Sequence, residues 1–63
     1  MTLKEARESA RYTKRAVAKK LNITEQTLLN WEKGETKPNV AQFVYLCKIY
    51  GVSVDDVLQS FYN

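Results

Sequence analysis

Apolar residues return every three or four positions along most of the chain, which is the period of an amphipathic α-helix. The pattern divides into five segments and predicts an all-α fold. The positions that it turns inward are Leu3, Ala6, Arg7 and Ala10, then Val17, Ala18 and Leu21, then Ile23, Leu28 and Trp31, then Val40, Phe43, Leu46, Cys47 and Tyr50, and finally Val52, Val54, Val57 and Leu58. Arg7 is charged, so its place on an apolar face requires either a stem that reaches solvent or a buried partner.

Short polar residues and glycines indicate where these helices begin and end. The residues that fit an N-cap are Thr2, Thr13, Thr24, Asn39 and Ser53. Glu5, three residues after Thr2, completes a capping-box pattern. Asn22, Gly34 and Gly51 suit the left-handed conformation that often follows a helix. The helices are therefore predicted over residues 2–10, 13–21, 24–33 and 39–50, and from residue 53 onward.

The second and third helices form a recognisable pair. Ala18 is small enough for another helix to cross close to it, Asn22 supplies a tight turn, and Thr24 starts the next helix. Apolar anchors at Leu28 and Trp31 hold that helix against the rest of the chain. This arrangement is typical of a helix-turn-helix that reads DNA, with the other helices as its scaffold.

Size and composition narrow the remaining possibilities. With 63 residues, the chain is expected to form one domain, residues 1–63, of marginal stability. It has one cysteine, Cys47, and no histidine, so we expect no internal disulfide, no Cys/His metal site and no cofactor. Cys47 fits a small buried apolar residue better than a nucleophile. No apolar run approaches the length of a membrane span and no signal sequence is evident, so we expect a cytoplasmic protein.

Positive charge is concentrated in the first part of the chain. Nine of the ten lysines and arginines precede Pro38, against five acidic residues there, whereas the remainder carries one lysine and two aspartates. A cluster without acidic residues comprises Arg11, Lys14, Arg15, Lys19 and Lys20. Such a cluster is often only a solvated helix face, but here it borders the helix-turn-helix, which favours contacts with phosphates.

The outward face of the third helix carries Gln26, Asn30 and Lys33. Glutamine and asparagine can pair bidentately with adenine, although both are also ordinary solvated residues. Lys14 is unusual because a cation in the first turn opposes the helix dipole, and an anion docked beside it would explain its presence. Lys37, in the loop after the third helix, is a further phosphate candidate.

Three stretches of the chain together resemble the phage-repressor-type helix-turn-helix family, also described as Cro/cI-like or XRE-like. They are Leu3…Arg7, the pattern T-x-x-x-V-A-x-x-L-N-I-T-x-x-T-L-x-x-W-E-x-G with a following K-P-N, and the terminal Y-G-V-S-V-D-D-V-L. The resemblance covers Leu3 to Leu58. It implies a compact five-helix lambda-repressor-like DNA-binding domain in which the third helix enters the major groove.

The resemblance also assigns roles to individual positions. The base-facing set that it implies is Glu25, Gln26, Thr27 and Asn30, and the phosphate set is Lys14, Lys33 and Lys37. Arg7 and Glu32 occupy the two positions at which related repressors form a buried ion pair. Three departures stand out, because Lys14 replaces a usual glutamine, Asn22 replaces the usual turn glycine and Leu29 replaces a residue that is often polar. Leu29 fits either a thymine methyl or a partner contact.

The sequence therefore predicts a sequence-specific regulator that binds double-stranded DNA, most simply a repressor that occludes a pseudo-palindromic operator as a homodimer. Apolar residues left outside the predicted core, which we assign to a dimer or partner surface, are Tyr45, Ile49, Phe61 and Tyr62. The alternative is an antitoxin-like or adaptor module that uses this surface to hold another protein. An enzyme is not expected, because the chain offers no histidine, no nucleophile–base pair, no glycine-rich loop and no evident small-molecule pocket.

Overall fold

The computed structural model describes the backbone of residues 1–62 and the side chains of residues 1–58. Over this range it contains five α-helices and no strand, which confirms the predicted all-α fold. The helices are α1 (Leu3–Ser9), α2 (Lys14–Leu21), α3 (Glu25–Lys33), α4 (Val40–Tyr50) and α5 (Val54–Tyr62). None of the helices within that range is both long and apolar enough to cross a bilayer.

All five predicted N-caps are confirmed. In each case the side-chain oxygen accepts a hydrogen bond from the backbone N–H three residues further on, and the capping residues are Thr2, Thr13, Thr24, Asn39 and Ser53. Each cap satisfies a donor that the first helical turn leaves without a partner. The helix starts are thus set by local chemistry that the sequence displays.

Each of the first four helices is followed, within two residues of its end, by a residue with positive φ. These residues are Arg11 (φ 63°), Asn22 (φ 56°), Gly34 (φ 82°) and Gly51 (φ 71°). In each case the next residue donates its N–H to a carbonyl five residues back, as in a Schellman motif. The sequence predicted three of these ends. Arg11 was not foreseen, because arginine carries no turn signal and adopts this conformation at a cost.

The core lies where all five helices converge. Its buried members are Leu3, Ala6, Val17, Leu28, Trp31, Phe43, Leu46, Cys47, Tyr50 and Val57. Two predicted core residues are wrong. Val40 is 81% exposed, because it is the first residue of α4 and lies one turn before Phe43 in the helix. Leu58 is 37% exposed, because its neighbour Val57 takes the inward position on α5.

The exposed aliphatic residues lie around one open cleft between the start of α4 and α5. Its lining comprises Pro38, Val40, Phe43, Val44, Val54 and Leu58. Of the predicted partner surface, Tyr45 is 40% exposed, whereas Ile49 is half-buried and packs against the core. The side chains of Phe61 and Tyr62 lie outside the described residues. The exposed apolar surface is therefore centred on Val40, Val44 and Leu58 more than on Ile49.

Candidate nucleic-acid interface

Helices α2 and α3 form the helix-turn-helix that the sequence predicted, and they pack together more extensively than any other pair of helices. The turn is made by Asn22 in the left-handed conformation, and Ile23 N–H donates to the Ala18 carbonyl at 3.0 Å. Ala18 is buried, as its small size indicated. Leu28 and Trp31 are also buried, so they fix which side of α3 faces the core.

The opposite side of α3 is open. Gln26 and Lys33 are exposed and Asn30 is half-buried, and the three follow one another at spacings of four and three on the same side of the helix. Gln26 Nε2 donates to Asn30 Oδ1 at 2.9 Å. The two amides are therefore joined on the side of α3 opposite Leu28 and Trp31, where Gln26 is exposed and Asn30 half-buried.

The other two members of the predicted base-facing set occupy the start of α3. Thr27 is half-buried, and its hydroxyl lies 2.9 Å from the hydroxyl of the capping residue Thr24. Its backbone N–H also donates to Thr24 Oγ1 at 3.1 Å. This contact ties the Thr27 hydroxyl to the cap. Glu25 is exposed in the first turn, where the helix dipole favours its charge.

A buried ion pair fixes the other end of α3 to α1. Arg7 Nε donates to Glu32 Oε2 at 2.7 Å, and the two side chains are 9% and 4% exposed. Arg7 Nη1 also donates to the Tyr12 carbonyl at 2.9 Å, just before α2 begins. The hydrogen bond to Glu32 raises the pKa of the Arg7 guanidinium. The charged residue on the apolar face of α1 thus has the buried partner that its position required.

The three predicted phosphate-contacting lysines lie at different places. Lys33 and Lys37 are exposed and line the same cleft beyond the end of α3, together with Gly34 and Thr2. Lys14 does not line it. It is half-buried in the first turn of α2, which contains no acidic residue. The structure therefore brings two of the three lysines together.

Two cations line a second cleft, at the turn between α2 and α3. The sequence placed them only in the basic cluster and not in the phosphate set. Arg15 and Lys19 flank this cleft with Thr24 and Glu25, beside the start of α3. Their spacing of four along α2 could have indicated a shared face. Lys20 belongs elsewhere, because its Nζ lies 5.9 Å from the centre of the Tyr12 ring.

Two titratable groups are buried in the core, away from this surface. Burial raises the pKa of the Cys47 thiol, which keeps it protonated and suits the predicted apolar role. Burial also raises the pKa of Tyr50, whose hydroxyl has no hydrogen-bond partner among the residues whose side chains are described. Among the described residues, no group of three or more Cys, Asp or Glu side chains could hold a metal ion.

Comparison with known proteins places this geometry in a family. The model of the helix-turn-helix family matches residues 3–57. The chain is 41% identical over 56 residues to the HTH-type transcriptional regulator ImmR of Bacillus subtilis (strain 168). That alignment covers 89% of the chain and 44% of ImmR, so the chain spans less than half the length of this relative. No solved structure matches the chain. The chain belongs to the helix-turn-helix family of DNA-binding domains, in agreement with its resemblance to XRE-like regulators.

Proposed function

We propose that this protein is a sequence-specific transcriptional regulator that inserts α3 into the major groove of double-stranded DNA and represses by occluding its operator. The observation that carries the proposal is the open polar face of α3, with Gln26 and Asn30 directed away from the core. A helix with its side chains is about 10–12 Å across, close to the width of the major groove, about 12 Å. Family membership points to a DNA-binding protein rather than an enzyme.

Cations at both ends of the helix-turn-helix support this docking. Lys14 begins α2, and Lys33 and Lys37 share a cleft beyond α3. Lysines so placed would contact the phosphates on either side of the groove and fix the register of α3. Glu25 and Thr27 would lie next to the bases, at the start of the inserted helix.

We propose further that two copies bind a pseudo-palindromic operator. The exposed aliphatic residues Val40, Val44 and Leu58 surround a cleft, and Tyr45 is also exposed on α4. A second copy covering this surface would remove these side chains from water, which favours association. Paired helix-turn-helix domains read half-sites about one helical turn, or ~34 Å, apart.

Selection of bound duplexes from a random pool tests the whole proposal. We expect enrichment of a pseudo-palindrome with the stated spacing. On the enriched site, Gln26→Ala or Asn30→Ala should weaken binding by about 1–3 kcal/mol, with little loss on random duplexes. Equal losses on the enriched and the random duplexes would show that these side chains do not read bases.

The proposed dimer has its own test. Val44→Asp places a charge in the exposed aliphatic surface, so it should reduce the dimer fraction measured by sedimentation while the monomer remains folded. Thr36→Asp adds the same charge at an exposed loop residue that does not line the cleft, and it is the control. An unchanged dimer fraction in Val44→Asp would place the dimer contact elsewhere.

The same aliphatic cleft also supports the second candidate, an antitoxin-like or adaptor module that holds a different protein. The two candidates differ in what covers the cleft and in whether DNA is bound. A stoichiometric foreign partner, displaced by Val44→Asp, combined with no enrichment of any duplex, would favour the adaptor. A self-associating chain that enriches one duplex favours the repressor.

A further inference from the structure

The hydrogen bond between Gln26 and Asn30 restricts what each amide can offer to a base. Gln26 Nε2 is the donor and Asn30 Oδ1 the acceptor, 2.9 Å apart, one helical turn from each other. A primary amide carries one oxygen and two N–H groups. Gln26 therefore keeps its oxygen and one N–H, whereas Asn30 has its oxygen turned towards Gln26 and keeps its two N–H groups.

These remaining groups match different base edges. Adenine presents an acceptor at N7 and a donor at N6 in the major groove, and pairing with it needs both the oxygen and an N–H of one amide. Gln26 still has that combination. In Asn30, one of the two lone pairs of the oxygen already accepts from Gln26, which directs this oxygen along α3. The N–H groups of Asn30 are therefore the part of its amide that remains fully available to a base. They match bases that present keto oxygens, namely guanine, with O6 and N7, or thymine, with O4.

We propose that Gln26 and Asn30 read DNA as one hydrogen-bonded unit, in which Gln26 selects adenine and Asn30 selects a keto base, guanine or thymine. This inference rests on the proposed function and states which bases that function recognises. The unit is formed before DNA arrives, so neither amide has to be ordered on binding. Removing one member releases the other, and base selectivity then falls at both positions.

The base preference at each position is measured by selecting duplexes from a random pool with the intact protein and with variants. The position whose preference disappears in Asn30→Ala but is only weakened in Gln26→Ala is the one that Asn30 reads, and it should hold guanine or thymine in the pool selected by the intact protein. Asn30→Asp keeps an acceptor for Gln26 but has no N–H. It should therefore shift that position to adenine or cytosine, whose amino groups donate.

A charge-matched control separates this shift from the effect of an added negative charge. Asn39→Asp adds the same charge at the cap of α4, where aspartate caps as well as asparagine. We expect Asn39→Asp to lower overall affinity without changing any base preference. Both substituted side chains lie outside the buried core, and equal melting temperatures would establish that the variants remain folded.

Affinities on the selected duplex test the coupling. Gln26→Ala and Asn30→Ala should each weaken binding by about 5- to 150-fold. The double variant should lose less than the product of the two single losses, because each single variant already disorders the remaining amide. A loss equal to the product would mean that the two amides act independently, which would overturn the proposal.

The remaining outcomes separate this inference from the proposed function. If the intact protein enriches no sequence, the proposed function fails and this inference fails with it. If it enriches a site but holds adenine or cytosine at the position read by Asn30, the proposed function stands and the inference is wrong. The hydrogen bond between the amides would then run in the opposite direction on DNA.

Discussion

Arg7 on α1 and Glu32 on α3 form a buried ion pair, with Arg7 Nε 2.7 Å from Glu32 Oε2. A second hydrogen bond, from Arg7 Nη1 to the Tyr12 carbonyl, ties the same guanidinium to the connection before α2. This side chain therefore links the first helix to both parts of the helix-turn-helix.

Arg7→Ala should lower the free energy of unfolding by about 3–5 kcal/mol, because it leaves the Glu32 carboxylate buried without its partner. Urea denaturation gives this value directly, or shows an unfolded chain. The double variant Arg7→Met/Glu32→Leu is the matched control. Because it removes both charges together, we expect it to be more stable than Arg7→Ala. If Arg7→Ala had the same free energy of unfolding as the intact protein, Glu32 would be solvated.

Tyr50→Phe should raise the free energy of unfolding by about 1 kcal/mol. Within residues 1–58, the buried Tyr50 hydroxyl has no hydrogen-bond partner, and removing such a group removes its desolvation cost while the ring keeps its packing. Tyr45→Phe, on the exposed side of α4, should leave stability unchanged and serves as the control. A loss of stability in Tyr50→Phe would show that the hydroxyl has a partner in solution.

Arg11→Gly should leave the free energy of unfolding unchanged or raise it by up to about 1 kcal/mol. Glycine adopts the φ of 63° found at this position without the cost that a Cβ brings, although it also gains freedom in the unfolded chain. Arg11→Val should be less stable by about 1–2 kcal/mol, because branching at Cβ disfavours positive φ further. If Arg11→Gly and Arg11→Val have the same free energy of unfolding, the backbone at this position is not left-handed in solution.

Lys14→Ala should weaken binding to all duplexes alike and reduce the slope of log K against log salt by about 0.9, the value for one phosphate contact. Affinity at several salt concentrations provides the measurement. Lys48→Ala removes an exposed cation from α4, far along the chain from the basic cluster, and should leave the slope unchanged. If the slope is also unchanged in Lys14→Ala, then Lys14 contacts no phosphate.

Features decided within a few residues could be predicted from the sequence. The five N-caps and the turn at Asn22 are examples, because a hydroxyl or a short amide satisfies the nearby backbone whatever the rest of the chain does. The resemblance to a family added the pairing of Arg7 with Glu32, which lie 25 positions apart. Neither side chain alone indicated which partner it would find.

Features that depend on which helix covers which could not be predicted in the same way. Val40 has the right spacing for the α4 core face, yet it is 81% exposed and lines the open cleft. Arg11 is left-handed where the chain turns between α1 and α2, although arginine has no preference for that conformation. The hydrogen bond between Gln26 and Asn30 depends on rotamers, which spacing alone does not specify.

The hydrogen bonds from Arg7 to both Glu32 and the Tyr12 carbonyl have a consequence for how accurately the protein would discriminate between DNA sequences. Under the proposed function, α2 and α3 would lie across a groove of the DNA. The short turn at Asn22 constrains their relative tilt, and so do the hydrogen bonds from Arg7 on α1 to Glu32 and to the Tyr12 carbonyl. A variant that lost these Arg7 hydrogen bonds but kept the core would still bind any duplex through its cations. It would, however, hold its amides at a variable angle to the bases. We therefore expect it to lose discrimination between correct and incorrect operators well before it loses affinity for DNA.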